Sequence, residues 1–80
     1  MMRVVVADDH SLFRDGIISL LEAAEYDVVA QVGDGRDAVE AVRRYRPDLA
    51  LLDVSMPNTN GLEALRQIKE EFPATSVVML

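Results

Sequence analysis

Eighty residues carry a net charge of −6, half of them hydrophobic and 28% charged, a composition that specifies one small globular domain and excludes disordered or fibrous chains. Seven Arg and a single Lys, Lys69, against that acidic excess argue against a phosphate-backbone surface on this segment. There is no cysteine for disulfides or thiolate metal sites, and no apolar run approaches a membrane span, so a soluble cytoplasmic protein is expected.

The first apolar run, Arg3-Val4-Val5-Val6-Ala7, is continuous, as a strand covered on both faces requires, and it closes on Asp8-Asp9. From Ser11 to Ala24 a helical period places Leu12, Phe13, Ile17, Leu20, Leu21 and Ala24 on one side and Arg14, Asp15, Glu22 and Glu25 on the other, with Ile18 off the stripe. Val28 to Val32 is short and mostly β-branched, bounded by Tyr26-Asp27 and the turn signal Gly33-Asp34-Gly35, and predicts a second strand. Ala38, Ala41, Val42 and Tyr45 line the next helix, where Glu40 can pair with Arg44 and which Pro47 ends. The run Arg43-Arg44, with Arg46, reads as a solvated helix face.

Leu49 to Leu52 predicts a third strand, closed by Asp53. Residues 54–60 make a connection longer than the roughly 2 to 6 residues usual between strand and helix. The helix from Gly61 to Phe72 should bury Leu65, Ile68 and Phe72, with Asn60 and Glu63 spaced as a capping box; Pro73 stops it, and Val77 to Leu80 begins a fourth strand. Strands alternating with single helices imply right-handed parallel crossovers and an open, doubly wound α/β sheet.

In such a sheet ligands gather at the carboxyl ends of strands, where Asp8, Asp9 and Asp53 fall. Each alone has an ordinary explanation as a strand end or, for Asp9, a helix cap. Together they form a cluster that must protonate in part or take a hard divalent cation, Mg²⁺ or Mn²⁺. A bare phosphate or dinucleotide site is excluded, because Asp8-Asp9-His10 stands where a phosphate cradle needs Gly, Ser or Thr amides. A haloacid-type phosphatase needs a second Asp two residues after its nucleophile, and position 55 is Ser.

Asp8-Asp9-His10, the strand ending in Asp53, and Met56-Pro57 followed by Gly61-Leu62 carry a resemblance to the receiver domains of bacterial two-component response regulators, from Arg3 to Leu80. The Asp-Asp-His start and Gly61-Leu62-Glu63-Ala64 are most similar to the NarL/FixJ group, with its LuxR-type output. The resemblance implies a flavodoxin-like sheet of strand order 2-1-3-4. It implies Asp53 as phosphoryl acceptor from a sensor histidine kinase, and Mg²⁺ (or Mn²⁺) held by Asp8, Asp9, Asp53 and the backbone carbonyl of Ser55. DNA contact would be made only through a C-terminal domain. Pro57 would stiffen the loop beside the acceptor, Gly61 would permit close packing or a tight helix entry, and His10 takes no catalytic role.

Against that family the chain is expected to be the N-terminal part of a receiver domain, residues 1–80, stopping at the fourth strand. The strand-end Ser or Thr, the Lys and the switch aromatic of the family would lie beyond it, impairing phosphorylation and switching in these residues alone. Self-association through the fourth strand and an uncovered sheet face is expected. The alternatives are a pseudo-receiver serving purely as an interaction domain, and a Mg²⁺-dependent hydrolase for which no second catalytic residue is found.

Overall fold

The computed structural model describes residues 1–54, 56 and 61–80. The expectations for Ser55, Pro57 and Asn60 lie outside them. Seven elements follow in the expected order: β1 (Arg3–Ala7), α1 (Ser11–Ala23), β2 (Asp27–Val32), α2 (Gly35–Tyr45), β3 (Leu49–Leu52), α3 (Gly61–Glu71) and β4 (Ser76–Met79). All pairings are parallel and the order is β2-β1-β3-β4, as the receiver resemblance implied.

The two central strands, β1 and β3, are the two continuous apolar runs, and alternate side chains leave them in opposite directions. On one face Ala7, Ala50 and Leu52 pack against Ala38, Val39 and Val42 of α2 and Ala64, Ile68 and Phe72 from α3 and its end. On the other, Val4, Val6 and Leu51 meet α1 alone, through Ile18 with Ile17 and Leu21 beside it. Among the described residues two helices therefore cover one face and a single helix the other.

That asymmetry corrects the expected stripe on α1. Ile18, placed off the stripe by the sequence, is the buried residue of this helix, whereas Leu12, Phe13 and Leu20 are 87%, 56% and 73% exposed and Ala24 is exposed too. Ile17 and Leu21 of the expected stripe do pack against the sheet, so the buried side is one edge of that stripe extended to Ile18, and its other edge is left outside. Arg14, expected outward, turns in with the sheet-facing side, where its guanidinium donates to the carbonyls of Asp8 (3.0 Å) and Val32 (3.1 Å).

Helix α2 begins on Asp34, whose carboxylate accepts from the Asp37 N–H at 2.7 Å, and ends with Arg46 in the left-handed region (φ 46°) ahead of the buried Pro47. Glu40 pairs with Arg43 one position before the expected Arg44. Arg43 also reaches Glu71 of α3 at 3.0 Å, and Arg43 and Arg46 lie over the Phe72 ring, 5.8 and 4.7 Å from its centre. The arginine run is thus only partly a solvated face: two of its guanidinium groups cover an aromatic ring that closes the α2–α3 seam. Hydrogen bonds from Gln67 and then Arg43 hold the Glu71 carboxylate below its ordinary range, so its small surface contribution persists at neutral pH and fades as pH falls through that lowered range.

Candidate functional site

Register builds the site. Ala7 and Leu52 are partners in the last rung between β1 and β3, so Asp8 and Asp53, each one residue further on, emerge side by side. Backbone bonds continue past the strands: Asp53 N–H donates to the Ala7 carbonyl (2.9 Å) and Asp8 N–H to the Val32 carbonyl (3.1 Å). The acids therefore stand on the two central strands of the sheet.

Asp8 is almost wholly buried, at 1% exposure, and its Oδ1 accepts the His10 N–H at 2.8 Å, a bond that turns the chain into α1. The same turn is held from beneath by Arg14, which ties the ends of β1 and β2 through their carbonyl oxygens. Asp9 does not cap α1. The cap position belongs to His10, whose side chain makes no capping hydrogen bond although Ser, Thr, Asp or Asn would be favoured there.

The structure brings Asp8, Asp9 and Asp53 together as the sequence anticipated, and adds His10. One ligand atom from each of the four lies within 4.8 Å of every other. His10 Nδ1 is 3.1 Å from Asp9 Oδ1, 3.3 Å from Asp8 Oδ1 and 3.8 Å from Asp53 Oδ2. An exposed ring next to an acidic pair reads in sequence as a loop residue. The only available signal was its place at a helix start where it is a poor cap.

Gly61 closes the site from the other side. A Cβ at this position would fall inside van der Waals contact of the Asp53 carbonyl oxygen and 2.9 Å from both Asp53 C and Val54 Cα. Its N–H donates to the Val54 carbonyl at 3.2 Å. Since no glycine has a positive φ, room and not backbone freedom is what this glycine supplies. The start of α3 rests directly on the backbone that carries Asp53.

A set of three carboxylates has the donor chemistry of a hard divalent cation, and charge that such an ion would offset. Lys69 is remote: it donates to the Thr75 carbonyl at 3.2 Å, just ahead of β4, at the opposite end of the sheet from the acids.

Comparison with known proteins agrees with this geometry. The family model of the response regulator receiver domain matches residues 4–80. The chain is 42% identical over 80 residues to the transcriptional regulatory protein DegU of Brevibacillus brevis, covering 99% of this chain and 34% of that protein. It is 48% identical over 79 residues to a protein-glutamate methylesterase/protein-glutamine glutaminase of Haloarcula marismortui, covering 99% and 21% respectively. The solved signal receiver domain of the response regulator NarL from Mycobacterium tuberculosis superposes with a TM-score of 0.93 at 37% identity, over 98% of this chain and 64% of that one. The chain thus spans about a third or less of these two curated relatives. With likeness running through every strand of the sheet and both strands that bear the acids, the chain belongs to the response regulator receiver domain family.

Proposed function

We propose that this chain is a phosphoacceptor signalling module, and not an enzyme in its own right, in which Asp53 receives a phosphoryl group from a sensor histidine kinase. The observation that carries the reading is the convergence of the Asp8, Asp9 and Asp53 carboxylates at one strand edge. Asp53, 17% open on its side chain, and Asp9, 34% open, are both within reach of solvent, while the buried Asp8 is placed to hold a cation. Asp8, Asp9 and Asp53, with the Ser55 carbonyl, would hold Mg²⁺ or Mn²⁺, which offsets charge between an anionic nucleophile and an anionic phosphoryl group. Arg14 fixes the turn that carries Asp8 and Asp9, and Gly61 lets α3 seat against the Asp53 backbone.

In the parent protein the module would control a separate output domain, one acting in transcription by analogy with the transcriptional regulatory protein DegU. Residues 1–80 would form the N-terminal part of the receiver unit, working in the cytoplasm. No helix among the described residues is long and apolar enough to cross a membrane. Lys69, engaged with the Thr75 carbonyl at the opposite end of the sheet, is not placed to contact a phosphoryl group on Asp53. Incubation with acetyl phosphate and Mg²⁺ should add the mass of one phosphoryl group in a hydroxylamine-sensitive linkage, absent in Asp53→Asn. Modification that persists in Asp53→Asn, or none in a full-length protein containing this segment, would reject the acceptor role and leave an interaction-only receiver.

The exposed Leu12, Phe13 and Leu20 of α1 form apolar surface for self-association. The sedimentation coefficient of the 80-residue chain should rise with concentration, and Leu12→Glu with Leu20→Glu should hold it at the monomer value. A concentration-independent monomer in the unaltered chain would refute this contact.

A further inference from the structure

We propose that His10 contributes an imidazole nitrogen to the cation centre, so that this receiver favours divalent transition-metal ions over Mg²⁺ more strongly than three carboxylates alone would. The inference rests on the reading of Asp8, Asp9 and Asp53 as that centre, and deepens it by naming a selectivity residue. Neighbouring ligand atoms on a six-coordinate ion with bonds of about 2.1 Å stand about 3.0 Å apart, and opposite ones about 4.2 Å. Nδ1 of His10 lies 3.1, 3.3 and 3.8 Å from oxygens of Asp9, Asp8 and Asp53, inside that span for all three.

Two features fix the imidazole there. The His10 backbone is held at both ends, its N–H on Asp8 Oδ1 at 2.8 Å and its carbonyl accepting the Arg14 N–H at 2.9 Å, so the ring springs from a set point beside the acids. The side chain forgoes the capping bond its position invites and turns to the carboxylates instead. Mg²⁺ prefers oxygen donors and gains little from an imidazole, whereas affinity for nitrogen rises along the series from Mn²⁺ to Ni²⁺.

His10 is the sole histidine of the chain, which makes the test specific. Pulsed EPR of tag-free protein loaded with Mn²⁺ should show ¹⁴N coupling from a directly bound imidazole, lost in His10→Ala. Calorimetry should find Ni²⁺ binding weakened by about tenfold or more in His10→Ala while Mg²⁺ binding changes by less than about threefold. The variant should fold, because the ring is 71% exposed and makes no helix cap. If Mn²⁺ binds without ¹⁴N coupling, or the Ni²⁺ to Mg²⁺ affinity ratio is unchanged in His10→Ala, then His10 is only a neighbour of the acids and this inference falls alone. If no divalent ion binds and Asp53→Asn changes nothing, the cation centre itself falls with it.

Discussion

Gly61→Ala should destabilise the chain by about 1–3 kcal/mol and weaken cation binding at the same time, because the added methyl group meets backbone and not a side chain that can swing away. The atoms in its path are the carbonyl of Asp53 and Cα of Val54, so relief requires either α3 to back away from the sheet or the acceptor segment to move. For a domain of this size each kcal/mol is worth about 4–8 °C at the midpoint, which puts the loss well within reach of a thermal melt. Gly16→Ala is the matched control: nothing lies within 4 Å of a Cβ there, and on the exposed side of α1 the change should stabilise by up to about 1 kcal/mol through helix propensity alone. Equal and small effects at the two glycines would show that the contact between α3 and the acceptor backbone is loose.

Asp8→Asn should have effects of opposite sign with and without metal. An asparagine keeps the oxygen that accepts the His10 N–H, and so keeps the turn into α1, but removes a charge that is 1% exposed and crowded by Asp9 and Asp53. In chelator the variant should be more stable than the unaltered chain, by about 1 kcal/mol. In Mg²⁺ at a hundred times the dissociation constant the unaltered chain should gain about 2.7 kcal/mol and overtake it, since an ion bound only by the folded state stabilises by mass action. Denaturant titrations of both proteins in EDTA and in Mg²⁺ provide the four values. A variant less stable in EDTA would show that the Asp8 charge is not under strain there, and one that retains the Mg²⁺ gain would remove Asp8 from the cation centre.

The layer structure and the acidic edge were both legible in the residues, for the same reason. Strands buried on both faces are written as unbroken apolar runs, and an aspartate that ends such a run marks the strand's carboxyl end directly. Val4 to Ala7 with Asp8, and Leu49 to Leu52 with Asp53, needed no tertiary information. The strand order came instead from the family resemblance, since a parallel pairing leaves no mark on either strand. What failed was the centre of the buried sector of one helix: Ile17 and Leu21 pack as expected, but only the position of the sheet decides that Ile18 beside them is covered and Leu20 is not. The partner of Glu40 failed similarly, because Arg43 is drawn toward Glu71, a residue 28 positions away whose proximity no local spacing rule encodes. Arg14 and His10 were read as solvated on local grounds. Their roles come from the carbonyls and carboxylates that the fold carries to them.

The rung that joins Ala7 to Leu52 also sets the order in which this molecule can become competent. Asp8 and Asp9 are adjacent from synthesis, but Asp53 reaches them only when β3 has docked on β1, which closes a loop through β2 and α2. Before that closure the chain has an acidic pair and a distant acid; after it, three negative charges are pressed together. The cost of assembling the site therefore falls on that docking step, and a cation that relieves it stabilises the β1–β3 pairing itself, holding together two strands that lie far apart in the chain.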